Sequence, residues 1–269
     1  MKATHQIDGR ALAAHVRGAV AAKIAGLGIR PGLGVVLVGG DPASHLYVAL
    51  KEKACAEAGI FFERIDFPED APQDEVLAAV ARLNADRAID AILVQLPLPP
   101  QLDADTVVAA IDPRKDVDGF HPENLRRYLE GSGPMPGLVE AISLLLDDAG
   151  APQEGLACVK ANSAVFSMPV EVMLERRGLS PTEDCRAADV VVTALGKPKS
   201  LTSGQVKPGA IVIDVGTSRV EGRTVGDADA ASLEGAAGAL TPVPGGVGPM
   251  TVALLIKKTL ELARGRRGK

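Results

Sequence analysis

Tryptophan is absent from the 269-residue sequence, and aromatic residues make up only 3% of it. That scarcity argues against a platform of stacked rings for nucleic acid. The net charge of -5 likewise provides no general basic field for a polyanion. Cysteine is rare: Cys55, Cys158 and Cys185 are far apart, odd in number and form no CxxC pair. The four histidines form no HExxH pattern. Neither a metal site nor a disulfide framework is expected, and the cysteines read as free thiols in a reducing compartment. No apolar run is long enough to span a membrane. The opening Met1-Lys-Ala-Thr-His-Gln-Ile-Asp8 is too polar for a signal peptide. A cytoplasmic enzyme without nucleic-acid or membrane partners is the expectation.

What is present is ordinary globular material, 46% hydrophobic and 23% charged, and long enough for two domains. Apolar residues at helical spacing (Ala11, Val16, Val20, Ile24) predict a helix over 9–27. Leu33 to Val38 is a buried-strand pattern ending in Gly39-Gly40, followed by a predicted helix over 43–58 and a strand over 60–67. A helix over 73–86, a strand over 91–94 and a short helix over 104–111 complete the first half. Such strand–helix alternation predicts a parallel sheet, with ligands beyond the carboxyl ends of its strands. From about residue 134 the alternation restarts: a helix over 137–149, a weak strand near 157–159, a helix after Pro169 and strong strands over 188–194 and 210–215. The last helix, 249–265, runs into Arg-Gly-Arg-Arg-Gly-Lys, read as a solvated helix end.

Four segments could carry chemistry. Ser44, Tyr47 and Lys51 project from one helix face, where a desolvated lysine beside a tyrosine can move protons; the plainer reading is a solvated lysine with its stem on the ring. Gln95 follows a buried strand and can bond an amine or a heterocycle edge, or simply cap the strand. Asp118, in Asp116-Val-Asp118-Gly119, suits a cationic ligand or an N–H pair, or closes an Asx-turn. The run Pro242-Val-Pro244-Gly245-Gly246-Val-Gly248-Pro249 precedes a helix and lets backbone approach a ligand closely; a stiff linker is the alternative. By contrast, Val159-Lys-Ala161-Asn162-Ser163-Ala-Val-Phe166-Ser167-Met-Pro169 holds no glycine where a dinucleotide fingerprint is expected.

Together the DPAS-x-x-Y-x-x-x-K, VQLPLP, KDVDG and TPVPGGVGPMT strings resemble the bifunctional methylenetetrahydrofolate dehydrogenase/methenyltetrahydrofolate cyclohydrolase family, over most of 5–128 and 186–260. The resemblance implies that Tyr47 and Lys51 serve the folate one-carbon centre, that Gln95 supports the lysine and that Asp118 anchors the pterin. Ser44 and the turn Pro244, Gly245, Gly246, Gly248 and Pro249 would line the folate crevice. It also implies two α/β lobes with a cleft between them, the second a reduced Rossmann-like domain, in a homodimer. The expected boundaries are 1–133 plus 249–269 for the folate lobe and 134–248 for the other.

Departures fall on one ligand's footprint. Against the family loop G-R-S-x-x-V-G-x-P, the chain has Ala161, Asn162, Ser163, Phe166 and Ser167, which removes both glycines and the phosphate-binding arginine. The stretch after Leu174 lacks a β-rich run and is about ten residues shorter than the family pattern, a typical strand's length. The family's Pro-Cys-Thr-Pro is reduced at Pro134-Met-Pro136-Gly137, and its Asn-Thr is Lys258-Thr259. The reading drawn from these losses is a non-redox enzyme on methenyl- or methylenetetrahydrofolate, a tetrahydrofolate derivative being its substrate, with NADP doubtful and no metal. The alternatives are the full NADP-dependent bifunctional enzyme with a divergent loop, and a non-catalytic folate-binding protein.

Overall fold

The computed structural model describes residues 3–268. The chain forms two compact units: one runs from Ala14 to Gly137 and resumes at Val252, the other comprises the chain up to Ala13 and Leu138–Thr251. The expected boundaries therefore shift. The first residues join the second unit because β1 (His5–Gln6) pairs in parallel with β11 (Ala239–Leu240). Thr4 Oγ1 also donates to the carbonyls of Leu233 and Ala237.

In the first unit, the part of α1 (Gly9–Leu27) beyond Ala13 is followed by β2 (Gly32–Val38), α2 (Pro42–Ala58), β3 (Phe61–Phe67), α3 (Gln73–Ala85) and β4 (Ala91–Val94). Two short helices follow, α4 (Ala104–Ala109) and α5 (Pro122–Leu129). The sheet is parallel with order β3-β2-β4. Every residue of β2 is buried, since both faces are covered. Leu33, Val35 and Leu37 pack with Val20, Ile24 and Val48, while Val36 and Val38 pack with Val76 and Val80. This alternation of a strand between two cores is why its sequence reads as an unbroken apolar run.

The basic C-terminus does more than meet solvent. Arg266 Nη1 lies 3.1 Å from the Asp90 carboxylate, and Arg267 pairs with its other oxygen. Asp90 is almost fully buried and also accepts from Gly32 N at 3.0 Å. A buried carboxylate requires such partners.

The second unit adds α6 (Gly137–Asp148, from Leu138 on), β5 (Gly155–Ala161), α7 (Ala164–Arg176), β6 (Leu179–Pro181), β7 (Val190–Ala194) and β8 (Ile211–Asp214). A hairpin of β9 (Ser218–Val220) and β10 (Arg223–Val225), then α8 (Ala230–Leu233), lead to β11 and to α9 (Val247–Arg267), which crosses into the first unit at Val252. The six-stranded sheet has order β1-β11-β8-β7-β5-β6, with parallel pairing throughout. Two expectations are corrected here. The strand expected to be deleted is present as β6, an edge strand only three residues long that pairs with β5 through Leu179 to Pro181. A proline is tolerated there because an edge strand needs only one set of ladder bonds. Cys158 and Cys185 are not free thiols; they form a disulfide across 27 residues of sequence, leaving Cys55 as a buried thiol.

Among the described residues, no helix is long and apolar enough to cross a membrane. No group of three or more His, Cys, Asp and Glu among them could hold a metal ion.

Candidate active site

In the first unit, the ends of β2 and β4 and the start of α2 come together. Asp41 caps α2, accepting from Ser44 N at 2.9 Å and from Ser44 Oγ at 2.8 Å, and Pro42 occupies the first helical turn. Ser44 is buried and its hydroxyl serves this cap. Tyr47 and Lys51, one turn apart on α2, are both half-buried. Their chemistry then depends on what reaches them from other elements.

Gln95 is the first residue past β4, and its N–H bonds Val36 O at 2.9 Å, continuing the strand's ladder. Its Nε2 donates to Leu96 O at 2.6 Å, which turns Oε1 toward Lys51. Lys51 Nζ donates to that oxygen at 2.8 Å. Burial holds the Lys51 ammonium below the usual lysine range, with the Asp118 charge pulling the other way. The neighbouring Cys55 thiol is pushed up to about 12 by burial, which leaves it protonated and inert near neutrality.

The turn 116–119 divides its two carboxylates between two tasks. Asp116 accepts from Gly119 N at 3.1 Å, His121 N at 2.9 Å and Asn124 Nδ2 at 3.0 Å, so the Asx-turn role falls to it. Asp118 has no side-chain hydrogen bond among the described residues. Crowding by protein pushes its carboxyl up to about 6 although the residue keeps accessible surface; Lys51 opposes the shift and Asp116 adds to it. The result is a tethered lysine facing a carboxylate that is spared from structural duty. His45 and Arg64 were not anticipated: the His45 ring lies 3.0 Å from Gly39 O and 3.0 Å from an Arg64 nitrogen. The only sequence signal was a histidine inside the first helical turn.

The Pro244–Pro249 run belongs to the other unit. Gly245 has φ +128° and Gly246 N bonds Pro242 O at 2.7 Å. A Cβ on Gly246 would meet Thr241 Cβ at 2.6 Å, so close backbone packing requires glycine there. Gly245 and Gly246 are buried, whereas Pro244 and Gly248 are exposed.

The glycine-free loop sits at the carboxyl end of β5, where the strand order steps first to β6 and then back to β7. Such a reversal is where open α/β sheets bind ligands. Ala161, Asn162, Ser163 and Ser167 form the entry to α7 without any residue at positive φ; among the described residues, the non-glycine ones that adopt it are Lys199 and Glu221. Asn162, Ser163, Ala164 and Val165 are exposed, so nothing fills the approach to the helix N-terminus. The turn itself therefore closes in backbone conformations open to any residue. Asn162 Nδ2 donates to Leu195 O, bridging the ends of β5 and β7.

Two buried aspartates missed by sequence reasoning hold the neighbouring loops. Asp227 accepts from Lys197 N at 2.8 Å and from Leu195 N, and Asp214 accepts from Gly216 N at 2.9 Å and Ala228 N at 2.8 Å. Burial pushes Asp214 up to about 6. Beside these loops lies a cavity of about 330 Å³, within the range of small-ligand sites, lined in part by Lys160, Glu183 and Arg186. The exposed entry to α7 and this cavity both lie past the carboxyl ends of strands of the sheet, where such sheets bind ligands.

Comparison with known proteins agrees with both units. Residues 7–118 match the model of the tetrahydrofolate dehydrogenase/cyclohydrolase catalytic domain, and residues 138–267 match that family's NAD(P)-binding domain. The bifunctional protein FolD of Acidiphilium cryptum is 45% identical over 98% of this chain and 100% of its own. The solved bifunctional FolD of Campylobacter jejuni superposes with a TM-score of 0.91 at 38% identity, covering 98% of this chain and 99% of its own. The Trypanosoma brucei enzyme, solved with NADP and an inhibitor, gives 0.95 at 32% identity over the whole of both chains. These matches overturn the expectation that NADP is doubtful: the lobe read as reduced matches an NAD(P)-binding domain from residue 138 onward. They favour the two-activity alternative over the non-redox reading.

Proposed function

The chain belongs to the tetrahydrofolate dehydrogenase/cyclohydrolase family, and from that premise we propose that it carries both activities. In the first, methylenetetrahydrofolate is oxidised to methenyltetrahydrofolate; the bound nicotinamide dinucleotide supplies the hydride acceptor. In the second, water adds to the cationic amidinium carbon and the ring opens with proton transfer to nitrogen.

Lys51 is the proposed acid–base residue. Partial burial lowers its pKa and so raises the fraction of neutral amine that can take a proton from attacking water. Gln95 fixes the amine's position through the 2.8 Å bond, and this tethering across 44 residues is the observation that most supports the assignment. Tyr47, one helical turn away, is proposed to bond the reacting water or ring nitrogen. Asp118, whose carboxylate has no hydrogen bond among the described residues, is proposed to hold the N–H edge of the pterin; Asp116, which shapes the turn, positions it. Ser44 contributes by capping α2 rather than by touching substrate.

The test is incubation with methylene- and methenyltetrahydrofolate, with and without NADP or NAD, followed by product analysis. The expected result is oxidation of the methylene substrate only with dinucleotide, and hydrolysis of the methenyl substrate without it. Absence of oxidation with either dinucleotide would overturn the two-activity reading.

A further inference from the structure

We infer that Lys160 recognises the phosphate on the adenosine ribose and so sets a preference for the phosphorylated dinucleotide; the inference rests on the dinucleotide role proposed above. In a βαβ dinucleotide unit the adenosine ribose lies near the end of the second strand. An acidic residue there binds the free 2′-hydroxyl, and a cation nearby accommodates the 2′-phosphate. Here that strand is β6, and the loop after it carries Glu183, Asp184 and Arg186. All three line the 330 Å³ cavity, as do Lys160, Ser200 and Gln205.

The charges around this cavity are not equally available. Arg186 Nε binds Asp184 at 3.0 Å, and Asp184 also accepts from Arg186 N at 3.1 Å, so these two occupy one another in a local turn. Asn162, at the end of β5, has no charge and its amide is engaged by Leu195 O. Lys160 is the penultimate residue of β5, two residues before Asn162. Its Nζ donates to the carbonyl of Glu183 at 2.9 Å, a neutral acceptor that positions the ammonium without neutralising it. Two of its three donors remain for an incoming anion. Ser200 Oγ is buried without a hydrogen-bond partner at the same cavity. The observations thus place a cation, hydrogen-bonded to a neutral carbonyl and within reach of the Asp184 charge, where a 2′-phosphate would lie.

The competing outcome is equally concrete: the exposed Glu183 carboxylate could take the 2′-hydroxyl and select the unphosphorylated dinucleotide. The experiment measures dissociation constants of the whole protein by calorimetry for NADP, NAD, adenosine 2′,5′-bisphosphate and adenosine 5′-monophosphate. It uses the wild type, Lys160→Met and Lys160→Arg. A charge-assisted bond predicts at least about tenfold tighter binding of the phosphorylated member of each pair. Lys160→Met should remove most of that ratio while leaving the monophosphate unchanged, Lys160→Arg should restore it, and added salt should shrink it. Equal binding within each pair, a preference for NAD, or an equal loss for all ligands in Lys160→Met would overturn the role of Lys160 while leaving the dinucleotide site standing. Failure to bind any of the four would overturn both.

Discussion

The two units write their chemistry in different ways. In the three-stranded unit the proposed chemistry resides in side chains: one amine, one carboxamide and one carboxylate. Few residue types supply each of these groups, so the strings around Lys51, Gln95 and Asp118 can be read directly. In the six-stranded unit the expected contacts come largely from backbone N–H groups at the entry to α7, and backbone is present whatever the side chain. A loop of Ala161, Asn162 and Ser163 forms that entry without positive φ, so the loss of its glycines removes a signature but not a surface. Absence of a motif is weak evidence where the motif stands for a backbone shape.

This contrast can be broken most sharply at Lys51. Lys51→Met should lower methenyl hydrolysis by about 10²–10⁴-fold, the usual range for a general acid–base group. Folate binding should remain measurable by calorimetry, and dinucleotide binding should be unchanged. Activity near that of the wild type would remove Lys51 from the mechanism.

Next in size is Gln95→Leu, which frees the amine without deleting it. A hydrogen bond to a charged group is worth about 1.5–3 kcal/mol, so a roughly ten- to hundredfold fall in turnover is expected, with the pH profile displaced because Lys51 loses a partner. A structural role alone would lower stability and leave the profile in place.

The pH dependence gives a third test. Asp118 titrates near 6 and must be anionic to hold an N–H edge. Protonation as the pH falls through 6 removes that charge, so folate affinity should weaken below pH 6, by up to about tenfold per unit for one proton. Asp118→Asn should flatten this dependence and weaken binding at pH 7. A dependence that survives in Asp118→Asn would show another group to be responsible.

The smallest effect belongs to the loop. Restoring glycine in Ala161→Gly/Ser167→Gly should change dinucleotide affinity by less than about threefold, or about 0.7 kcal/mol, since the turn already closes. A large gain would show that the side chains obstruct the ligand after all.

Legibility varied with the length of the feature. The helix predicted over 9–27 is observed at Gly9–Leu27 because its apolar spacing persists over several turns. The strand at Leu33–Val38 was legible because burial on both faces leaves no polar interruption. The two-residue strands β1 and β11 are too short for any periodicity, and their pairing moves the first 13 residues into the other unit. The Leu179–Pro181 strand was hidden by its serine and proline, which an edge position tolerates. The helix Pro122–Leu129 went unread although His121 caps it and a proline opens it. Cys158 with Cys185, and Asp90 with Arg266 and Arg267, are pairings made by the fold across long separations. Local pattern cannot contain them.

Titration of the protein with NADP and NAD, followed by addition of methylenetetrahydrofolate, bears most directly on the lobe with the glycine-free loop. The account predicts saturable binding and reduced nicotinamide formed in step with substrate consumed. Intact methenyl hydrolysis with neither binding nor hydride transfer for either dinucleotide would contradict it.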